Sequence, residues 1–414
     1  MFLRSYKMTD TFFGLPSEVI FCKRCVISNQ RPSSTVEFKH SKDEKKSTIG
    51  FDNNGVCAAC HYQETKANSI NWKDREDTLA ELCEKYRKHD GSYDIVIPGS
   101  GGKDSAYTSH ILKYKYGMNP LTVTWAPHKY TEIGWKNFEN WIHVGGLDNM
   151  LLTPNGRLHR YLTKQAFINL LHPFQPFIVG QRIIGPSMAA KFGVELVMYG
   201  ENQAEYGNNV DDNYIPTMDR KFFSISDPLD IVLGGKKIRD ILEETDFTLN
   251  DFAPYIPPSA DYLESKNVEV HYLGYYLKWD PQECYYYATE HTGFQSNTER
   301  TEGTYSKYSS IDDRIDMFHY YTTLVKFGIG RATYDAAQEI RNNKITREEG
   351  AQLVKKFDEE FPKKYFKEFL EYISLTEDEF HETVDKFRSP HLWEKEGDEW
   401  NLKRAVWHDQ KRLD

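Results

Sequence analysis

The chain has 414 residues, enough to bury a sizeable core and to form two or three domains. It carries 52 basic and 62 acidic side chains, a net charge of −10, which argues against broad nucleic-acid binding. No apolar run approaches the ~20 residues of a membrane helix, and the stretch up to Pro16 lacks the apolar core of a signal peptide, so no membrane association and a cytoplasmic location are expected.

In chain order, residues 1–20 read as a flexible tail and 21–66 as a metal-bound module. Cys22-Lys-Arg-Cys25 and Cys57-Ala-Ala-Cys60 are two C-x-x-C pairs with 31 residues between them. In a reducing compartment, four thiolates so spaced suit a tetrahedral metal, most simply zinc in a closed structural site. Two disulfides or an iron–sulfur cluster are the competing readings. Ser41-Lys-Asp-Glu-Lys-Lys46 is a solvated insert between the knuckles. Residues 67–92 connect onward through a helix at 73–89, with Leu79, Leu82, Cys83 and Tyr86 on one face.

A short apolar run, Ile95 to Ile97, then meets Gly99-Ser-Gly-Gly-Lys-Asp-Ser105, and a helix is predicted from about 103 to 116. Strand, glycine turn and helix start make a phosphate cradle, because Ser100, Gly101 and Gly102 let the backbone approach an anion at unpartnered helix amides. Lys103 and the hydroxyls of Ser100 and Ser105 add donors, and Asp104 suits a magnesium ion. The spacing is not that of a Walker loop. It resembles the PP-loop of the N-type ATP pyrophosphatases, which implies cleavage of ATP between its α- and β-phosphates.

Further strands are predicted at 121–125, 147–152, 194–199 and 268–276, with helices at 131–143, 157–171 and 180–192. Such alternation predicts an α/β fold with a parallel sheet and ligands at the carboxyl ends of the strands. Glu201, in the loop after the 194–199 strand, and Trp125-Ala-Pro-His128 are expected on that rim. Residues 93–300 are read as one domain, interrupted by a proline-rich insertion at about 208–260 that suggests a lid or an interaction surface. Residues 301–414 are read as a helical region, with a capping box at Thr346-Arg-Glu-Glu349.

Taken together, the cysteine module, the cradle, Trp125-Ala-Pro-His128, the Pro-Phe pairs at 173–177, Tyr199-Gly-Glu-Asn202, Tyr305-Ser-Lys-Tyr-Ser-Ser-Ile-Asp-Asp313 and Lys326-Phe-Gly-Ile-Gly-Arg-Ala-Thr333 resemble the N-acetyl sugar amidotransferase family over roughly 20–385. The charged insert and the residues ahead of Phe21 depart from the compact pattern of that family and leave the edges of the cysteine module open. The resemblance implies conversion of an acetamido to an acetamidino group on a free or nucleotide-linked N-acetylated sugar, in lipopolysaccharide O-antigen or nonulosonic acid biosynthesis. ATP, Mg2+ and structural Zn2+ follow as cofactors. Under this reading Lys103 and Asp104 act on the phosphates, Glu201 positions or deprotonates ammonium, Asp312 or Asp313 supplies a further metal ligand, and Lys307 or Arg314 meets pyrophosphate. No glutaminase motif occurs in the sequence, so ammonia is expected from a separate glutaminase subunit like that of the histidine pathway, with or without a cyclase-like partner, and through a tunnel. Two rivals stand beside it: a PP-loop enzyme that thiolates tRNA, and a non-catalytic zinc-module scaffold. An ammonia-dependent ligase acting on a carboxylate shares the cradle but leaves the downstream blocks unexplained.

Overall fold

The computed structural model describes residues 11–207 and 214–408, apart from the Gln203 side chain; the predicted tail up to residue 10 and the start of the predicted insertion, 208–213, lie outside these. Five strands, β1 (Ile95–Pro98), β2 (Pro120–Trp125), β3 (Asp148–Leu152), β4 (Leu196–Tyr199) and β5 (Glu269–Tyr272), form one sheet in the order β3-β2-β1-β4-β5. Every neighbouring pair is parallel. The fold is thus the α/β class that the alternation predicts. Helices at Lys103–Tyr114, Glu132–His143, Gly156–Leu170 and Gln175–Phe192 fall close to the predicted positions.

The two-residue period of the strands sorts their side chains. Ile95, Ile97, Leu196 and Met198 enter one core with Leu112 and Trp279, under the Lys103–Tyr114 and Pro281–Thr292 helices. Val96, Val123 and Val197 face the opposite core, with Ile183 and Ile184 of the Gln175–Phe192 helix. That helix lies close to the sheet: a Cβ on Gly180 would stand 2.1 Å from the Trp125 ring. Because parallel strands are covered on both faces, they read as nearly continuous apolar runs.

Three regions differ from the sequence expectation. Leu15 and Val19 are buried against Leu324, Phe327, Leu392 and Trp393, so residues 11–20 are packed rather than a free tail. The described part of the insertion is built into the main core through Ile231, Leu233, Ile241, Phe252 and Tyr255, while its Tyr214, Ile215 and Leu249 stay exposed. The C-terminal region is helical from Asp316 to Lys386 and then closes with an antiparallel hairpin, Trp393–Glu396 with Glu399–Leu402, where only helix had been expected. Among the described residues, no helix is long and apolar enough to cross a membrane.

The cysteine module rests on the C-terminal helices. Its Val26, Ile27 and Ile49 share one apolar cluster with Ile329, Ala336, Ala337 and Val354.

Candidate functional site

The sheet order reverses between β1 and β4, and the loops leaving those two strands part to open a crevice at their carboxyl ends. The cradle follows β1. Gly101 adopts φ +82°, and a Cβ there would lie 2.7 Å from the Phe138 Cα, so a side chain has no room. Gly102 caps the Lys103–Tyr114 helix without a side-chain acceptor, which leaves the first helical amides free for an anion. Ser105 Oγ accepts from the Gly101 N–H at 3.2 Å and donates to the Gly102 carbonyl at 3.0 Å, closing the turn.

Lys103 Nζ donates to Asp104 Oδ2 at 2.5 Å. Burial opposes its charge, but the Asp104 and Glu201 carboxylates outweigh that and hold the ammonium above its usual range. Asp104 Oδ1 is buried and has no protein partner. A buried carboxylate oxygen left unpaired is costly, and it is the ligand type a magnesium ion takes. The residues present therefore fit magnesium at Asp104.

Glu201 follows β4 and faces the same cavity. Burial, then the charge of Asp104, pushes its carboxyl up to about 7, while Lys103 and the hydrogen bond from the Tyr206 hydroxyl hold it back. Such a group exchanges a proton near neutrality.

The cavity has a volume of about 640 Å³. One end is apolar, with Val123, Trp125, Ile178, Ile184 and Met218; the Trp125 ring is only 3% exposed, and its Nε1 has no protein partner. A smaller cavity of about 170 Å³ adjoins it, lined by the cradle glycines, Ser310 and Asp312. Ser100, Lys103, Asp104, Tyr308, Ser309 and Arg331 border both.

The 305–314 loop does not present the side chains expected of it. Asp312 does reach the cradle, accepting from Ser100 Oγ at 3.0 Å. Asp313 is instead saturated: one oxygen accepts from the His128 N–H and Nδ1 at 2.7 and 2.8 Å, and the other from the Ile315 N–H at 2.9 Å and the Lys129 N–H at 3.4 Å. It joins two loops and has no lone pair to spare for a metal. Lys307 is exposed, with Nζ donating to the Thr298 carbonyl at 3.0 Å, and lines neither cavity. Arg314 donates to Glu368 at 2.9 Å and to the Tyr130 carbonyl at 3.0 Å, outside both cavities.

Arg331, Arg31 and Tyr206 were not identified from sequence as site residues. Arg331 stands where Lys307 and Arg314 were expected. Its Nε lies 3.3 Å from Asp335 Oδ2 and its Nη2 3.2 Å from Asp335 Oδ1, and the Tyr320 hydroxyl accepts from Nη1. The Lys326-to-Thr333 block contained it, but nothing in that block's spacing aimed it at the cradle. Arg31 comes from the cysteine module and lies over the Tyr206 and Tyr334 rings, 5.5 and 5.8 Å from their centroids.

The four cysteine sulfurs lie within 4.8 Å of one another. Cys22 and Cys60 are 3.8 Å apart, and Cys25 and Cys57 3.7 Å. A tetrahedral ion with metal–sulfur bonds of about 2.3 Å has edges of about 3.8 Å, so the group fits a zinc-sized ion. Glu37, His40 and His172 also cluster, but Lys46 Nζ lies 2.9 Å from His40 Nε2. That ring then accepts at Nε2 and donates from Nδ1 to Glu37 at 3.3 Å, so the group is satisfied as a hydrogen-bond network.

Residues 302–406 match the family described as LPS biosynthesis protein WbpG-like, C-terminal domain. No curated protein matches the chain. Among solved structures, the NH3-dependent NAD synthetase from Campylobacter jejuni is similar at 16% identity and TM-score 0.25, over 31% of this chain and 56% of that one. NMN synthetase from Francisella tularensis is similar at 12% identity and TM-score 0.29, over 70% of this chain and 94% of that one. The U34-tRNA thiolase NcsA from Methanococcus maripaludis, with its 4Fe-4S cluster, is similar at 12% identity and TM-score 0.29, over 75% of this chain and 86% of that one.

Proposed function

We propose that this chain, whose C-terminal region is of the WbpG-like lipopolysaccharide-biosynthesis family, adenylates the acetamido oxygen of an N-acetylated sugar and lets ammonia displace AMP. The product is an acetamidino sugar, with AMP and pyrophosphate released. The observation that carries this reading is the pairing of an unpartnered Asp104 oxygen in the cradle with a Glu201 carboxyl near neutrality in one crevice.

An amide resists ammonia because nitrogen donation quenches its carbon and oxide is a poor leaving group. Adenylation of the oxygen removes both obstacles. The cradle amides and Lys103 hold the phosphates and oppose the charge that develops on pyrophosphate, and Arg331 does so from the other wall. Magnesium, when bound at Asp104, neutralises part of the same charge. The apolar end around Trp125 suits the adenine ring. Glu201 takes the proton that the incoming nitrogen gives up. Zinc in the four-cysteine site, ammonia from a separate glutaminase subunit and a cytoplasmic location belong to the same proposal.

The test is incubation with ATP, magnesium, ammonium and a panel of free and nucleotide-linked acetamido sugars. The expected result is a sugar lighter by the difference between O and NH, with AMP formed in equal amount. Formation of ADP and inorganic phosphate instead would sink the proposal.

A further inference from the structure

Glu201, the proton acceptor of the proposed reaction, stands on a loop rather than on the sheet. Gly200, Glu201 and Asn202 lead into one turn of 3-10 helix, Gln203–Tyr206, which Gly207 closes at φ +68°. The turn folds back so that the Tyr206 hydroxyl donates to Glu201. Tyr206 therefore fixes the carboxylate only as firmly as the turn itself is fixed.

Lys66 holds it from both sides. The residue is fully buried, and Nζ donates to Glu205 Oε1 at 2.7 Å and to the Trp279 carbonyl at 2.6 Å. Glu205 lies inside the turn, next to Tyr206. Trp279 lies on the other flank: a Cβ on Gly200 would stand 2.8 Å from its ring. One ammonium thus anchors the chain before and after Glu201. Lys66 belongs to the Ala58–Asn68 helix of the cysteine module, which Cys57 caps and which carries Cys60. The same helix meets the end of the turn, where a Cβ on Gly207 would stand 2.9 Å from the Ala59 nitrogen. From the C-terminal helices, Arg341 Nη2 donates to the Glu205 carbonyl at 3.2 Å.

Stability alone is a weak reason for a buried ion pair. Taking an ammonium and a carboxylate out of water costs about what their attraction returns, and apolar side chains of similar volume are often as stable. What the pair adds is a fixed geometry, since neither partner can move without leaving a charge buried and unpaired. Resting on the amidation reading above, we propose that Lys66 and Glu205 are positioning residues: they keep the Tyr206 hydroxyl on Glu201 and so aim the proton acceptor at the incoming nitrogen. The cysteine module then serves the second half of the reaction, the attack by ammonia. Transfer of AMP, the first half, is left to the cradle.

The test is the paired variant Lys66→Met with Glu205→Leu, which removes both charges together and leaves neither buried alone. Its melting temperature should stay close to that of the wild type, while kcat for amidine formation falls roughly 10²-fold. The KM for ATP and the sugar-dependent exchange of pyrophosphate into ATP should not change, because they report on transfer of AMP. Tyr206→Phe should give the same split, and adding it to the paired variant should lower kcat no further. A crystal structure of the paired variant should show the Tyr206 hydroxyl beyond hydrogen-bond reach of Glu201. If the paired variant is unstable, Gly207→Ala pushes the same turn off the Ala59 nitrogen and is read in the same way. Wild-type kcat, an equal loss in pyrophosphate exchange, or a Tyr206 hydroxyl still on Glu201 would overturn the proposal. If no sugar in the panel supports AMP formation, the amidation reading fails on its own. The crystal structure then still decides whether the pair holds Tyr206 on Glu201.

Discussion

At the scale of residues, two carboxylates in one cavity stand in different settings. Asp104 is paired on one oxygen by Lys103 and open on the other, which keeps it ready for a cation. Glu201 is held near neutrality by burial and by the Asp104 charge. A carboxyl raised to about 7 is protonated in the folded state between that value and the usual range near 4.5, so its stability contribution is present at low pH and lost as pH rises through 7. Glu201→Gln should therefore raise the melting temperature at pH 8 and leave it nearly unchanged at pH 5; a purely structural carboxylate would give a loss at both. The same variant should lower amidine formation by roughly 10²–10⁴-fold. It should also remove the rise in wild-type rate through pH 7, measured at constant free ammonia. The types of both residues could be read from sequence. The burial that sets their environments apart could not, because it depends on distant segments packing around them.

At the scale of elements, the cradle is a turn whose backbone passes against the Glu132–His143 helix. Gly101→Ala puts a methyl 2.7 Å from the Phe138 Cα in a left-handed conformation. It should cost about 1–3 kcal/mol by urea denaturation. Pyrophosphate exchange into ATP should fall far more than that loss explains, since the anion-facing amides shift with the turn. Gly-Gly-Lys-Asp-Ser was legible because strand, turn and helix are contiguous in sequence. The 305–314 loop was not, since it has no repeating period to say which residues face inward. Its backbone turns Ser306, Tyr308 and Ser309 to the cavities and Lys307 to solvent. Asp313 is consumed in joining this loop to His128.

At the scale of the molecule, the cysteine module, the sheet and the C-terminal helices share one cavity. Arg31 reaches it from the module, Arg331 from the C-terminal helices, Asp104 from the helix after β1 and Glu201 from the loop after β4. Structural zinc contributes about 10–16 kcal/mol to small modules at neutral pH. Cys57→Ser, or removal of the metal by a chelator, should therefore loosen the module first. Metal analysis should show loss of the ion, and hydrogen exchange should rise around Ile27 and Ile49 and along the Arg331–Arg341 helix packed on them. A metal-replete Cys57→Ser protein of unchanged stability would defeat the four-cysteine assignment.

The sequence by itself determined the alternation of strands and helices, the position of the cradle and the pairing of the cysteines. Each is written in contiguous residues or in a short spacing, which local sterics and ligand chemistry decode. Only the tertiary structure decided that Arg331 rather than Lys307 or Arg314 borders the cradle cavities, that Asp313 is a tie between loops, and that the module supplies Arg31 to the main cavity. Those outcomes depend on which side chains are excluded from water when distant segments pack, and no local pattern records that choice.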